Sequence, residues 1–132
     1  MATLNSQQQR LVDEPLYAVA TTLMPDGAPH STVVWIDRED GTLQFNTAHG
    51  RLKTRNIERD PRVSVTVFDP ANPFQKTLVV RGRAELIDAG ADDHIDRLAR
   101  KYTGQDRYPW RRPGERRVTV RVHADRISGT GD

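Results

Sequence analysis

Arg51, Lys53, Arg55 and Arg59 fall within nine residues, directly after the small-residue run Thr47-Ala48-His49-Gly50. Basic side chains at that density suit three tasks: a solvated helix face, a grip on a nucleic-acid backbone, or a cradle for a small phosphorylated ligand. Small residues leave backbone N–H groups open, and a helix starting at this point would attract an anion through its unsatisfied amides and the positive end of its dipole. Arg51 and Arg55 lie four apart on one face, and Thr54 adds a hydroxyl. Lys53 points about 200° away from Arg51 if both are helical, at 100° per residue. The cations therefore converge on one anion only if Arg51 precedes the first full turn.

Other chemistry is hard to find. His30, His49, His94 and His123 show no metal-ligand spacing, and there is no cysteine to assist them, so no metal site is expected. No Gly-x-Ser-x-Gly elbow, Walker loop or Gly-x-Gly-x-x-Gly fingerprint is present. Asp92, Asp93 and Asp96 complement the start of a helix rather than form an acidic site. No side chain stands out as a nucleophile or general base, and the catalytic residues stay unassigned. The three lysines, Lys53, Lys76 and Lys101, leave seventeen arginines among the twenty basic residues, on a chain whose net charge is only +2. Local arginine clusters on a weakly positive chain favour a compact anion over a long polyanion. Arg51 to Arg62 also contains no aromatic residue to stack on bases, so nucleic acid is not an expected partner.

These side chains need a scaffold, and 132 residues are enough for a single domain, residues 1–132, with a real core. Residues 4–13 read as a short helix stopped by Pro15. Residues 16–23, 30–37 and 42–47 read as three strands joined by two tight turns, an antiparallel meander. Residues 51–60 form the basic helix, ended by Asp60-Pro61. Residues 62–68 alternate like a half-buried strand. Residues 76–88 form a long strand whose central Gly82 predicts a bulge or sharp bend. Residues 91–102 give the clearest helix, with Ile95, Leu98, Ala99 and Tyr102 on one face. Residues 117–127 form the last strand. The expected fold is mainly β: a six-stranded antiparallel split β-barrel with two to three flanking helices. No apolar run is long enough to span a bilayer, and the first fifteen residues lack the pattern of a signal peptide, so a cytoplasmic protein without a membrane partner is expected.

The stretches "PDGAPHSTVVWID", "LQFNTAHGRLKTRNIERDPRVSVTV" and "VRGRAEL" resemble the pyridoxamine 5'-phosphate oxidase-like split β-barrel family. More narrowly, with "LARKYTG…YPWRRPGERRV", they resemble its deazaflavin (coenzyme F420)-dependent oxidoreductase branch. The similarity runs from about residue 12 to 127 and rests on five elements in order. It implies a homodimer with the cofactor in a groove at the subunit interface. It sets Arg51, Lys53 and Arg55 against the cofactor phosphate. Asn46 and Thr47 at the strand end, with Thr54, become polar contacts, and Ser31, Thr32 and Val33 lie along the ring system. Trp35 and Trp110 become candidate walls of the pocket.

Flavin mononucleotide (FMN) and the deazaflavin share a phosphorylated side chain and a three-ring head, but the deazaflavin adds a tail of several carboxylates. Extra arginines (Arg59, Arg62 and the Arg111–Arg112 pair) favour the deazaflavin, because each can pair bidentately with a carboxylate. The expected function is F420-dependent hydride transfer to an activated double bond of a small organic substrate. The alternatives are an FMN-binding flavoprotein of the same fold and a non-catalytic deazaflavin carrier. His49, beside the cofactor segment, is a candidate proton donor. Pyridoxamine phosphate oxidases themselves carry a C-terminal Arg-x-His substrate motif. Arg121 and His123 show that spacing only within a strand pattern, so that activity is not carried over.

Overall fold

The computed structural model describes residues 2–130. Helix α1 (Ser6–Asp13) opens with a capping box: the Gln8 amide donates to the Asn5 side chain, and Gln8 Oε1 accepts the Asn5 amide in return, both at 2.9 Å. Seven strands follow in one sheet: β1 (Ala18–Leu23), β2 (Pro29–Val34), β3 (Ile36–Glu39), β4 (Thr42–Ala48), β5 (Arg62–Phe68), β6 (Thr77–Ile87) and β7 (Arg117–Gly129). Helix α2 (Leu52–Arg59) links β4 to β5, and helix α3 (Ala91–Thr103) links β6 to β7. All pairings are antiparallel, in the order β2-β1-β5-β6-β7-β4-β3. No helix among the described residues is long and apolar enough to cross a membrane.

The strand count is seven, not the six expected, because residues 30–37 are two strands. Period-2 patterning runs through Trp35 without a break, but the pairing partner changes there. β2 pairs with β1, while β3 pairs with β4 at the other end of the sheet. The expected meander is therefore two hairpins at opposite edges. Those edges are consecutive in the chain, so the sheet must curl until they meet at Trp35, which gives a split barrel.

Helix α3 clasps this corner. The Tyr102 hydroxyl accepts the Ile36 amide (3.1 Å) and donates to the Leu16 carbonyl (2.6 Å), while Lys101 Nζ donates to the Val12 and Ile36 carbonyls (both 2.6 Å). The Trp35 indole stacks on Tyr102 with centroids 5.3 Å apart and planes 8° from parallel.

The barrel interior is filled by strand residues such as Ala18, Val34, Ile36, Leu43, Phe45, Val65, Val80 and Val120, with Leu11 and Val12 of α1 and Ile57 of α2 closing on it. Gly82 makes the expected irregularity: the β6–β7 register shifts between Arg81 and Gly82. A Cβ at this glycine would lie 2.1 Å from the His123 carbonyl oxygen, so the two backbones approach too closely for any side chain.

Candidate functional site

Strand β4 delivers the chain to the basic segment. The His49 amide donates to the Arg116 carbonyl (2.9 Å), and Gly50 turns the chain with φ +88°, a left-handed conformation open to glycine at no steric cost. Arg51 is extended (φ −72°, ψ 153°) and is the N-cap of α2 rather than a member of its first turn. That removes the conflict of helical phase, and the Arg51 and Lys53 side chains line the same cavity. No side chain caps the helix start and no acidic residue occupies its first turn. Its first amides are thus left available to an anion.

The rest of the segment holds the helix in place. The Thr54 hydroxyl donates to the Ala48 carbonyl (2.7 Å) and lies 3.4 Å from Thr47 Oγ1, with both threonines fully buried. Asn56 Nδ2 donates to Thr22 Oγ1 at 3.1 Å. Arg55 projects to solvent away from the cavity. Arg59 is bound to the Leu23 carbonyl and Asn56 Oδ1, and Arg62 to Asp60, so neither is a free cation.

The cavity has a volume of about 180 Å³. Arg51, Lys53 and a third cation, Arg117, the first residue of β7, line it. The Arg117 side chain is only 3% exposed; its Nε donates to Asn46 Oδ1 (2.9 Å), its Nη1 to Glu115 Oε1 (3.0 Å), and its guanidinium lies 5.1 Å over the Tyr108 ring. Glu115 Oε2 also lies 3.5 Å from Arg51 Nη2. Lys53 pairs with no carboxylate among the described residues. Burial pushes its ammonium down to about 8, helped by repulsion from Arg51 and Arg117. Three cations facing one carboxylate make a site short of negative charge.

The remaining lining is largely apolar: the aromatic rings of Trp35, Tyr108 and Trp110, with Val33, Val34, Ile95 and Leu98. Tyr108 meets Trp35 and Trp110 edge-on, with centroids 6.1 and 5.7 Å away. The loop of residues 104–116 that carries this wall is strapped to α3. Asp96 accepts the Tyr108 amide (2.8 Å) and Arg111 Nη2 (2.6 Å), while Arg111 Nη1 reaches Asp92 at 2.9 Å. Burial pushes Asp96 upward, but the Tyr108 amide and the Arg111 charge outweigh it and hold the carboxyl below its usual range. Arg111 is therefore structural, whereas Arg112 is exposed and unpaired among the described residues.

Of the residues singled out by sequence, Val33, Asn46, Arg51, Lys53, Trp35 and Trp110 meet at this cavity. Thr47, Thr54 and Arg55 do not line it. Neither does Ser31, bonded to Thr21 Oγ1 at 2.9 Å, nor Thr32, whose hydroxyl is buried without a partner. His49 is turned to Asp88 at 2.5 Å. Arg117, Glu115 and Tyr108 were not anticipated. Arg117 reaches the site because β7 pairs with β4, placing Arg117 beside Ala48, and no local pattern announces that pairing.

The pyridoxamine 5'-phosphate oxidase family matches residues 4–131 of the chain. The F420H(2)-dependent biliverdin reductase of Mycobacterium tuberculosis (strain CDC 1551 / Oshkosh) is 31% identical over 144 residues, an overlap of 100% of this chain and 96% of that protein. Among solved structures, an F420 reductase is similar with a TM-score of 0.78 and 30% identity, over 91% of this chain and 94% of that one. The conserved hypothetical protein Rv2991 from Mycobacterium tuberculosis is similar with a TM-score of 0.72 and 26% identity, over 96% and 86% of the two chains.

Proposed function

The chain belongs to the pyridoxamine 5'-phosphate oxidase family, and on that premise we propose that it is an oxidoreductase that uses reduced coenzyme F420 to reduce an activated double bond of a small organic molecule. The observation that carries this reading is a cavity that joins cations to aromatic walls. Arg51, Lys53 and Arg117 line it together with Trp35, Tyr108 and Trp110, and Arg117 lies 5.1 Å over the Tyr108 ring. A phosphorylated fused-ring molecule likewise combines an anion with a flat apolar head. Lys53, half-buried and without a counter-ion, is the sign that the cation cluster fits such a group. The two relatives at 30% and 31% identity, both named for F420 chemistry, favour the deazaflavin over FMN.

In this reading Arg51, Lys53 and Arg117 hold the phosphate together with the first amides of α2. Trp35, Tyr108, Trp110, Val33 and Val34 hold the ring and keep water from it. Unpaired Arg112, next to Trp110, is available to a carboxylate of the tail. When bound, the reduced deazaflavin supplies a hydride from its C5 carbon to an electron-poor double bond. The protein's part is to bind, orient and desolvate, which needs no side-chain nucleophile. Arg121 and His123 are tied to Glu39 and Glu85, which counts against the pyridoxamine phosphate oxidase reaction.

A second copy of the chain completes the site. Val33 is 65% exposed while lining the cavity, and Tyr17, Val19 and Phe68 extend an exposed apolar strip across β1 and β5. Val19 and Val33 are direct cross-strand partners. A strip of that kind, continuous with an open pocket, favours a homodimer with the cofactor at its interface.

The test is titration with F420 and with FMN, followed by oxidation of reduced F420 with a panel of enones, quinones and biliverdin, the substrate in the relative's name. F420 binding with turnover of at least one acceptor is expected. Tight FMN binding without F420 binding would replace the cofactor assignment, and F420 binding without any turnover would make the protein a carrier.

A further inference from the structure

Asn46 is only 8% exposed and its amide has no freedom of orientation. Arg117 Nε can only donate, so the atom facing it at 2.9 Å is the amide oxygen of Asn46. The Ala91 carbonyl can only accept, so it receives Asn46 Nδ2 at 3.0 Å. The second hydrogen on that nitrogen falls on His94 Nδ1 at 3.1 Å, which must therefore be an acceptor. The imidazole proton then belongs on Nε2, donated to Asp37 Oδ1 at 2.8 Å, and Arg97 Nε holds the other oxygen of Asp37 at 3.0 Å. The Thr119 hydroxyl lies 3.0 Å from His94 Nδ1 as well.

Every bond in this chain donates the same way, from a guanidinium through an amide and an imidazole to a carboxylate. Bonds aligned in this way strengthen one another in a low dielectric. Glu115 fixes Nη1 of the same guanidinium, while Nη2 has no partner among the described residues. Arg117 lines the cavity, and Nη2 is the one guanidinium nitrogen of this nearly buried arginine left uncommitted.

We infer that Arg117 is a phosphate-binding cation of this cavity and that Asn46 and His94 are its positioning residues, holding the guanidinium at the ligand through a one-way hydrogen-bond chain anchored on Asp37. The inference rests on the reading that the cavity takes a phosphorylated ring.

The experiment compares the affinities of the tail-free deazaflavin 5'-phosphate and of the same deazaflavin alcohol lacking the phosphate, in wild type and in Arg117→Gln, His94→Gln and His94→Asn. Wild type should prefer the phosphorylated form. Arg117→Gln and His94→Gln should lose about 10- to 100-fold in affinity for the phosphorylated ring while binding the phosphate-free ring as before. His94→Asn puts an amide oxygen close to where Nδ1 stood and should recover most of the preference. A barrel merely loosened by the substitutions would weaken both ligands alike, and that result overturns the inference, as does failure of His94→Asn to recover what His94→Gln loses. Unchanged preference in Arg117→Gln overturns it while leaving the Arg51 and Lys53 site standing. A wild type indifferent to the phosphate removes the phosphate site and this inference together.

Discussion

An ammonium held among two guanidiniums gains more from an incoming anion than an exposed lysine would. Burial and the two guanidiniums push Lys53 down to about 8, so an anion bound beside it would raise that value again. Affinity for F420 should be flat below pH 8 and then fall by up to about tenfold per pH unit until the bound-state value is passed; Lys53→Gln should abolish this slope in a fluorescence titration. The sign for folding is opposite. Because the folded value is depressed, the lysine costs stability below pH 8, and the cost is relieved as pH rises from there toward its unfolded value, so urea midpoints should drift upward over that range. Glu115 tests the same balance from the other side. Glu115→Gln keeps an acceptor for Arg117 Nη1 and removes the negative charge beside the ligand, so phosphate affinity should rise by about tenfold at low salt. An affinity that drops instead would make Glu115 a support for Arg117 and nothing more. Arg51 and Lys53 were legible in the sequence because a local run of basic residues after small ones is a local signal. Arg117 was not, because its place depends on pairing with β4, 71 residues from its partner Asn46.

At the scale of elements, the corner at Trp35 decides both the fold and the pocket. Alternation along residues 30–37 reports which side chains face inward, but it carries no information about which strand lies alongside, so the break into β2 and β3 was hidden. The bulge at Gly82 was visible because a lone glycine in a long strand has few other uses. Tyr102→Phe removes the group that serves the Ile36 amide and the Leu16 carbonyl at once, and should cost about 1–3 kcal/mol in a thermal or denaturant melt, with the sheet retained. The 104–116 loop should behave separately. Asp96→Asn weakens the grip on Arg111 while keeping the residue's shape. Its expected signature is a red-shifted tryptophan emission and a KM for the acceptor raised about five- to tenfold, at a melting temperature little changed. An unaltered KM would mean that Tyr108 and Trp110 need no strap.

For the molecule as a whole, the proposed homodimer would make assembly and binding one property of the apolar strip of Tyr17, Val19, Val33 and Phe68. Val19→Glu with Val33→Glu should yield a monomer by light scattering, with F420 affinity at least about tenfold weaker; a monomer that binds normally would separate the two. The sheet order has a further consequence, for synthesis. Among the described residues, the hairpin of β3 and β4 joins the remaining strands only through β7, which follows them all in the order of synthesis. Until residues 117–129 have left the ribosome, β6 and β4 each present a bare edge, and a nascent chain of more than a hundred residues holds two half-sheets with nothing between them. β7 supplies the seam and, in Arg117, part of the candidate site. A ribosome that stalls before β7 would therefore release a product that cannot close its sheet and keeps two strand edges open to aggregation.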